Sequence, residues 1–369
     1  SRDLLTIFIG IELASTPMFL LSGWKKGDRK SNEGAIKFFL LGVLSASLIL
    51  YGFSLIYGLT GQLVFADISA YLLANSLGSS PVLLLSAILV ISGIGFKISV
   101  VPFHSWAPDT YEGAPLPITA YLSVSSKATG FVALIVLLTK VFESSGQSWG
   151  VILAIVAGAT MTLGNLVALQ QTNPVRLLAY SSISQAGFII APLAVSGITG
   201  NYQDGIFASV TYLIIYAFMN IGAFLSVHLF TNFTKSDNFY EWGGIAKHSP
   251  LAGVLTTVFF FSLAGIPPLG GWFAKFVVFR SLLSTGEIIG ISLAIVGAIN
   301  AVIALVYYAR ISKVIWMDEL KNPEEEKSFE FQSPLKVVGA LTVLITFVAG
   351  IFPGIFSYLG EVSSIFFGN

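Results

Sequence analysis

The segment GIGFKISVVPFHSWAPD (residues 93–109) sets a lysine, Lys97, and a proline, Pro102, at the end of a long apolar run. A charged side chain at the centre of a bilayer costs about 2.5–3.5 kcal/mol on insertion scales, so such residues face a bundle interior or a water-filled path. Pro102 removes a backbone donor and clashes with the preceding turn, which predicts a helix break beside Lys97. Prolines and glycines likewise precede Lys275 in AGIPPLGGWFAKFVVF (264–279). The sequence therefore predicts two broken membrane helices, each with a buried lysine.

The composition is that of a membrane protein. Hydrophobic residues make up 55% of the 369 residues and charged residues only 10%, whereas soluble domains average about 25% charged residues. The chain has no cysteine, so disulfides and thiolate metal sites are excluded. The three histidines, His104, His228 and His248, show no metal-ligand spacing. We therefore expect no metal and no bound cofactor on this chain.

Apolar segments of about 20 residues cross a bilayer as helices, and ten of them predict an all-α, polytopic membrane protein. The chain begins at Ser1 beside the first segment, so we expect an N-terminal part to be missing. Residues 62–79 are interrupted by polar side chains and predict an interfacial helix. No helix is expected after the last segment. The ten segments are 3–23, 33–60, 80–101, 116–139, 149–171, 175–197, 203–232, 250–283, 286–316 and 333–359.

The basic residues lie mostly on one side of this arrangement. Thirteen of the 19 lysines and arginines fall in or beside the connections on that side, whereas only Arg2, Lys140 and Arg280 fall on the other. The positive-inside rule places the first side in the cytoplasm and both termini outside. The longest polar stretch, 318–330, is predicted to be a cytoplasmic connector. The basic connections are 24–37, 172–176, 233–248 and 310–336.

Glu12 is the acidic residue that sits well inside a predicted span, and three lysines lie at comparable depth. Glu12 and Lys97 are the natural ion pair if their helices are neighbours, because each relieves part of the other's desolvation cost. A static pair that only fixes packing is the alternative interpretation. At least two lysines are left without a carboxylate in this chain, and burial without a partner penalises the charged form. Such lysines suit reversible proton binding.

Lys127 lies in the middle of the span 116–139, about eleven residues or 16 Å of helix rise from either end. It is too deep to reach an interface easily. Nearby hydroxyls in the same helix are expected to solvate its ammonium group or to hold bridging water. These hydroxyls belong to Ser123, Ser125, Ser126 and Thr129.

Two further positions carry titratable groups. Lys37 follows Glu33 by four residues, which fits a surface ion pair as well as a functional position. His104 follows Pro102 by two residues and changes charge near neutral pH, so it is a candidate relay between Lys97 and the next helix. A last group of polar residues is expected to make hydrogen bonds between helices: Asn165, Asn220, Asn300, Tyr307 and Tyr308.

The segment FKISVVPFHSWAPDTYEGAPLPITAYLSVSSKATG (96–130) is similar to the signature of the antiporter-like membrane subunits of respiratory complex I, and most like subunit N. The resemblance covers essentially the whole chain, because charges, prolines and glycines recur together and in order. The supporting segments are LLTIFIGIELASTPMFLL (4–21), NEGAIKFFLLG (32–42), LGNLVALQQTNPVRLLAYSSISQAGF (163–188) and SLAGIPPLGGWFAKF (262–276).

The resemblance implies an antiporter-like fold of fourteen helices, in which helices four to eight and nine to thirteen form inverted repeats. The ten segments would then be helices five to fourteen of a single membrane domain, 1–369. Residues 1–139 would be the remainder of the first repeat, and 140–316 the second repeat. Residues 317–369 would hold the cytoplasmic connector and the last helix.

The resemblance also implies a role for the intramembrane charges. Glu12 and Lys97 would form the glutamate–lysine pair of the first half-channel, Lys127 the central lysine, and Lys275 the lysine near the exit. His104 and Lys37 would be further positions on the polar axis. The implied function is proton movement from the cytoplasm to the outside, coupled to quinone reduction in other subunits of an NADH-quinone oxidoreductase. Two alternatives stay open, a cation/proton antiporter subunit of the Mrp type and a passive spacer of the membrane arm.

The implied setting follows from the same resemblance. The chain would be a non-redox subunit of the oxidoreductase, because it has no dinucleotide fingerprint, cysteine cluster or haem ligand pair. NADH or ferredoxin, flavin, iron–sulfur clusters and quinone would act in partner subunits. The expected partners are other membrane subunits, including neighbouring antiporter-like ones, and the lipid bilayer, with no nucleic acid. The expected location is a bacterial inner membrane, with organellar inner or thylakoid membranes as the alternative.

Overall fold

The computed structural model describes residues 1–319 and 333–368, which form a bundle of α-helices joined by short turns. A π-helical turn, Leu122–Ser126, joins two of the helices into one longer element. In chain order the helices are α1 (Leu4–Ser22), α2 (Arg29–Thr60), α3 (Phe65–Ala74), α4 (Pro81–Ile98), α5 (Trp106–Gly113), α6 (Leu116–Tyr121), α7 (Lys127–Lys140), α8 (Gly146–Ala168), α9 (Pro174–Thr199), α10 (Tyr202–Thr234), α11 (Ile245–His248), α12 (Pro250–Ala264), α13 (Gly270–Ser284), α14 (Ile288–Met317), α15 (Ser333–Ile351) and α16 (Gly354–Gly368).

The predicted spans are present as helices. Within residues 1–319 and 333–368, nine elements are long and apolar enough to cross a membrane, with α6, the π turn and α7 forming one of them. The remaining predicted segment, 250–283, is divided into α12 and α13, each of 15 residues. Residues 62–79 contain the ten-residue helix α3, which is too short to span a bilayer. The all-α, polytopic class is therefore confirmed.

Side-chain caps and left-handed glycines set the ends of several spans. The Asp28 carboxylate accepts hydrogen bonds from the first backbone amides of α2, and Asn173 does the same for α9. At the other ends, Gly61 and Gly200 have φ of 68° and 76°, a region that glycine adopts without a steric penalty. The two capping side chains thus satisfy backbone N–H groups that a helix start leaves without a partner, and the two glycines let the chain turn where each helix ends.

Both predicted helix breaks are present. Between α4 and α5 the chain turns at Ser99, with φ of 60°, and the Trp106 indole Nε1 donates to the Phe96 carbonyl at 2.8 Å. Between α12 and α13 it turns at Gly265, with φ of 95°. The backbone N–H of Gly271 then donates to Ser262 Oγ at 3.1 Å. Side chains and backbone donors thus replace the helical hydrogen bonds that each break removes.

The centre of the bundle is α9, because 94% of the residues in its 18-residue apolar stretch are buried. Helices α8 and α9 pack closely because glycines remove the side chains between them. A Cβ atom on Gly164 would lie 2.7 Å from Ser184 N, and one on Gly187 would lie 2.7 Å from Met161 Cγ. Small residues at such contacts let membrane helices approach and gain packing energy.

The last predicted span, 333–359, is wrong at its end. The chain forms two helices there, α15 and α16, and helix continues to Gly368, so the expectation that no helix follows residue 359 also fails. Pro353 lies between them and has no backbone N–H with which to continue α15. Gly339 of α15 packs against Leu225, and Gly360 of α16 packs against Phe207. The two helices therefore run antiparallel to α10 along its length.

Two predictions on organisation are left as they stand. The connector 318–330 lies outside the described residues, apart from Asp318 and Glu319. The division into repeats 1–139 and 140–316, followed by 317–369, stays a prediction.

We expect the substitution Gly187→Ala to lower the thermal stability of the protein in detergent. The added Cβ would lie 2.7 Å from Met161 Cγ and 2.8 Å from Met161 N, and overpacking of this kind costs about 1–3 kcal/mol. The matched control is Gly10→Ala in α1, where no described atom outside the neighbouring backbone of α1 lies within 4 Å of the added Cβ. The control should keep or raise the melting temperature, because alanine favours helix. Equal shifts in the two variants would contradict the packing argument.

Candidate functional site

Lys97 and Glu12 form the ion pair that the sequence predicts. Lys97 Nζ lies 3.2 Å from Glu12 Oε1 and donates a hydrogen bond to Ser15 Oγ at 2.7 Å. Glu12 and Ser15 are three residues apart on α1, so both face α4. The rings of Phe19 and Phe96 lie 5.7 and 5.9 Å from the ammonium group. The Lys97 side chain is 4% exposed and that of Glu12 is 25% exposed, so α1 supplies the counter-charge from the more open side.

Lys127 is buried on α7, one helical turn before the residue of that helix that packs against Lys97. It begins α7 directly after the π turn, and a Cβ on Gly130, three residues later, would lie 3.2 Å from Lys97 Cβ. Lys127 Nζ donates to the Ser182 carbonyl at 3.1 Å and to the Ser182 hydroxyl. The two lysines of the first half are therefore neighbours, and the second one is held by α9.

The described hydrogen bonds of Lys127 go to Ser182 of α9, and the bridging water predicted for the hydroxyls of its own helix stays a prediction. Ser123 Oγ instead donates to the Ala120 carbonyl and accepts from Asn220 Nδ2, at 2.7 and 2.8 Å. Thr129 Oγ1 donates to a backbone carbonyl of its own helix, that of Ser125. Residues one or two positions apart on a helix do not face each other, so the ammonium group finds its partner on α9. The hydroxyls predicted to solvate it were those of Ser123, Ser125, Ser126 and Thr129.

Lys275 is held by the second helix break. Its Nζ donates to the carbonyls of Leu263 and Ala264, the last residues of α12, at 3.1 and 2.6 Å. A helix C-terminus has unsatisfied carbonyls and a partial negative charge, so the break itself supplies the ligands of the cation. The Phe188 ring of α9 lies 5.3 Å from the ammonium group. In the part of the chain that the structure describes, no carboxylate lies within ion-pair distance of Lys127 or Lys275.

Buried polar side chains of α9 join the environments of these two lysines. Gln185 lies three residues after Ser182, and its Nε2 donates to the Leu263 carbonyl at 3.2 Å. That carbonyl also accepts from Lys275. Gln185 Oε1 accepts a hydrogen bond from the Tyr212 hydroxyl. Sequence reasoning missed Ser182 and Gln185; their signal is the polar run SSISQ (181–185) inside an apolar helix, with a spacing of three that shares one face.

Lys37 belongs to an ion network at the predicted cytoplasmic side. Its Nζ lies 2.7 Å from Glu33, which confirms the local pair, and 2.6 Å from Asp109 of α5. The guanidinium of Arg176, on α9, lies 2.8 Å from both Asp109 and Glu112. Lys30 of α2 completes the network on Glu112 at 2.7 Å. Three helices are thus bridged by charge, and the two carboxylates of α5, which sequence reasoning missed, lie three residues apart in PDTYEG (108–113).

His104 lies in the break between α4 and α5, and it is partly buried. Its Nδ1 is enclosed and has no hydrogen-bond partner among the described residues. The roles of Glu12, Lys97, Lys127, Lys275, Lys37 and His104 stay predictions.

The other polar residues make the predicted hydrogen bonds between helices. Asn165 Nδ2 of α8 donates to Asn300 Oδ1 of α14 at 3.1 Å, and the Tyr307 hydroxyl donates to Asn165 Oδ1 at 2.9 Å. Tyr308 is hydrogen-bonded to Ser181 of α9. Among the described residues no group of three or more His, Asp and Glu side chains is arranged to hold a metal ion.

Comparison with known proteins gives the same assignment over most of the chain. The family described as "NADH:quinone oxidoreductase/Mrp antiporter, TM" matches residues 1–303. The chain belongs to this family. The resemblance noted from the motifs is therefore confirmed, and the protein is a multi-pass membrane protein of the antiporter-like class.

Relatives within the family are more than a third identical to this chain over the aligned residues. NADH-quinone oxidoreductase subunit N of Heliobacterium modesticaldum is 36% identical over 366 residues, which cover 99% of this chain and 74% of the relative. NAD(P)H-quinone oxidoreductase subunit 2 of Crocosphaera subtropica is 41% identical over 360 residues, which cover 95% of this chain and 68% of the relative.

Solved structures share the fold. A chain of respiratory complex I from Thermus thermophilus superposes with a TM-score of 0.78 at 27% identity, covering 97% of this chain and 75% of its own. A chain of an archaeal membrane-bound sulfane sulfur reductase has a TM-score of 0.86 at 25% identity, with 99% and 72% covered. A chain of the Mrp complex from Dietzia, at 20% identity and a TM-score of 0.85, covers 98% of this chain and 74% of its own and shows the shared fold alone.

We expect Gly265→Ala to disturb the site of Lys275 in this family member. The new Cβ would lie 2.8 Å from Lys275 Cδ and 3.3 Å from Lys275 Nζ. Gly61→Ala is the matched control, because Gly61 also ends a helix with positive φ but has no described atom within 4 Å of the added Cβ. Both variants place an alanine at positive φ, 95° at Gly265 and 68° at Gly61, and the contact with Lys275 is expected to make the loss of thermal stability clearly larger in Gly265→Ala. Equal losses would show that only the backbone conformation matters.

We expect Arg176→Gln to destabilise the junction of α2, α5 and α9. It leaves Asp109 and Glu112, whose side chains are 30% and 15% exposed, without one of their cationic partners. Loss of a partner from a partly buried polar group costs about 1–3 kcal/mol, and more for a charged one. The readout is the melting temperature in detergent, with Lys25→Gln at an exposed position on the predicted cytoplasmic side as the control. A melting temperature equal to that of the control would show that the network contributes no stability.

Proposed function

We propose that this protein is a proton-translocating membrane subunit of a complex I-type NADH-quinone oxidoreductase. Its relatives carry the names of subunits of such oxidoreductases. The observation that supports proton movement most directly is the set of buried lysines. Lys97 has a carboxylate, whereas within the described residues Lys127 and Lys275 are held only by hydroxyl and carbonyl oxygens. An ammonium group with neutral ligands gives up its proton without leaving an uncompensated negative charge behind.

The first transfer in this proposal takes place between Lys97 and Lys127. Lys127 lies one helical turn before Gly130, which packs against Lys97, and the charge at Glu12 stabilises a proton on Lys97. A change in the field at Glu12, caused by redox steps elsewhere in the complex, then favours transfer to Lys127. At an effective dielectric constant of 20, the interaction free energy of two unit charges about 10 Å apart is about 1.7 kcal/mol. Gain or loss of one such charge therefore changes the equilibrium constant for protonation of the other group more than tenfold.

The second transfer moves the proton from Lys127 towards Lys275 along α9. Ser182 accepts from Lys127, and Gln185 donates to the carbonyl that also holds Lys275. A hydroxyl, an amide and a carbonyl in sequence provide the two to four polar partners that a bridging water needs. The outward step then starts from Lys275. On the cytoplasmic side, Lys37 and His104 are the candidate residues of proton entry.

The proposal assigns electron transfer to other subunits. NADH or ferredoxin, flavin, iron–sulfur clusters and quinone would act there, and this chain would contribute proton movement as the non-redox part of a translocating enzyme. Its partners would be other membrane subunits, including neighbouring antiporter-like ones. The proposed location is a bacterial inner membrane, with organellar inner and thylakoid membranes as alternatives, since relatives include bacterial, cyanobacterial and chloroplast proteins.

A second candidate function is cation/proton antiport of the Mrp type. The matched family includes Mrp antiporters, and the Mrp chain of Dietzia shares the fold. Sodium-dependent proton movement that is independent of quinone reduction would favour this candidate. Proton movement that requires quinone reduction and does not depend on the sodium concentration would favour the role in a quinone oxidoreductase.

We expect Lys127→Ala, in the complete protein within its assembled complex, to abolish both proton pumping and quinone-linked turnover. Positioned proton transfer contributes about 10²–10⁴-fold to a rate, so a loss of about 10²-fold or more is expected. Lys140→Ala, at the outer end of the same helix α7, is the control and should pump normally. Unchanged pumping in an assembled Lys127→Ala complex would reject the relay and favour a passive spacer of the membrane arm.

A further inference from the structure

The second helix break divides the last carbonyls of α12 between two kinds of donor. The Gly265 backbone N–H donates to the carbonyls of Phe261 and Ser262, at 3.0 and 2.9 Å, and the Ile266 N–H donates to the first of them at 3.0 Å. A helix end of this type satisfies its own carbonyls through the turn that follows it. The last two carbonyls of α12 instead accept hydrogen bonds from the Lys275 ammonium group. The path of the turn therefore decides where the ligands of Lys275 lie.

Helix α15 lies directly against the backbone of this turn. A Cβ atom on Gly350, near the end of α15, would lie only 1.9 Å from the Pro268 carbonyl oxygen. A Cβ on Gly270, the first residue of α13, would lie 3.0 Å from Ala349 Cβ and 3.1 Å from the Thr346 carbonyl oxygen. Both glycines thus sit where a side chain would push the two segments apart. These contacts set the distance between α15 and the turn.

A hydrogen bond joins α15 to the helix that carries Lys275. The indole Nε1 of the half-buried Trp272 donates to the Gly350 carbonyl at 3.2 Å. Gly350 is among the last four residues of α15, so its carbonyl has no donor within the helix. Trp272 precedes Lys275 by three residues, which is less than one helical turn. The bond to α15 and the bonds of the ammonium group to α12 therefore start from the same turn of α13.

The opposite side of the break is closed by α10. Ile215 Cγ2 would lie 2.9 Å from a Cβ on Gly270, and Met219 Sδ would lie 3.3 Å from a Cβ on Gly271. Both side chains of α10 are buried. The apolar stretch of α10 is 72% buried, whereas that of α15 is 28% buried. The break is therefore packed between an inner helix and a more peripheral one, and the peripheral one holds α13 by a hydrogen bond.

We propose that α15 positions the ligands of Lys275, with Trp272 and Gly350 as the positioning residues. The contact at Pro268 and the hydrogen bond from Trp272 hold the turn, and the turn holds the two terminal carbonyls of α12 at the ammonium group. A displacement of α15 lengthens the bonds to these carbonyls, so the charged form of Lys275 loses part of the stabilisation that replaces its hydration. A movement of α15 thereby changes how firmly Lys275 holds its proton, and the effect on proton movement rests on the proposed function.

The first measurement follows the Lys275 ammonium group directly, by NMR of the complete protein in detergent with nitrogen-15 in its lysine side chains. The resonance of Lys275 Nζ is identified by its loss in Lys275→Met. Trp272→Phe removes the indole N–H and should shift this resonance, because the carbonyl ligands move. Trp149→Phe in α8 is the matched control, since its indole also donates to a backbone carbonyl, that of Phe142 at 2.9 Å. The control should leave the resonance unchanged.

The second measurement is the rate of proton pumping by the same variants in the assembled complex, reconstituted in vesicles. Trp272→Phe should pump about two- to tenfold more slowly, a factor that corresponds to the loss of one ordinary hydrogen bond. Trp149→Phe should pump at the rate of the unmodified complex.

The two measurements separate the positioning role from the proposed function. An unchanged Lys275 resonance in Trp272→Phe, or an equal shift in Trp149→Phe, would overturn the positioning role of α15. If Trp272→Phe does not fold, Ala349→Gly, which removes the α15 methyl group that faces Gly270, takes its place under the same criteria. A shifted resonance with normal pumping would overturn the effect on proton movement. Normal pumping by Lys275→Met would reject the proposed function itself, and the resonance would still decide the positioning role.

Discussion

Burying an ammonium group in an apolar bundle is unfavourable unless polar groups replace its hydration shell, and this constraint shapes the whole molecule. Each of the three lysines meets it differently. Lys97 has a carboxylate from α1, Lys127 has a serine of α9, and Lys275 has two carbonyls at a helix end. The second break therefore supplies the hydrogen-bond acceptors of Lys275 and also changes the direction of the chain. The first break, in contrast, comes after Lys97 in the chain, and the Phe96 carbonyl that it frees accepts a hydrogen bond from the Trp106 indole. Lys97 therefore takes its polar partners from a neighbouring helix.

Helix α9 contributes residues to several of these polar sites. Its predicted cytoplasmic end carries Arg176, its middle carries Ser182 and Gln185, and the following turn carries Phe188, whose ring lies 5.3 Å from Lys275 Nζ. A helix that serves three polar sites must be held in a fixed register, since one step of rotation would misplace all of them. The close contact with α8 at Gly164 and Gly187 provides that register. The dense packing of α9 is thus a condition for the geometry of the lysines.

Most of the fold could be predicted from sequence, and so could the charged members of the site. Hydropathy located the spans, and the prolines beside Lys97 and Lys275 located both breaks, because these signals are local in the chain. The neutral ligands Ser182 and Gln185 could not be assigned, since serine and glutamine in an apolar helix fit many interhelical contacts equally well. The ligands of Lys275 are backbone carbonyls, which no side-chain pattern reports. The end of the last span failed because Pro353 divides an apolar stretch whose second half continues as α16 along α10.

The bridge between α8 and α14 has an electrical consequence. Its hydrogen bonds run in one direction, from the Tyr307 hydroxyl to Asn165, from Asn165 to Asn300, and from Asn300 to Thr162. Two of these donors are amide nitrogens, which do not exchange their protons along a chain as hydroxyls and waters do. These hydrogen bonds therefore fill the space between α8 and α14 with satisfied polar groups. Because their amide donors do not exchange protons along the chain of bonds, they give a proton no route out of the bundle.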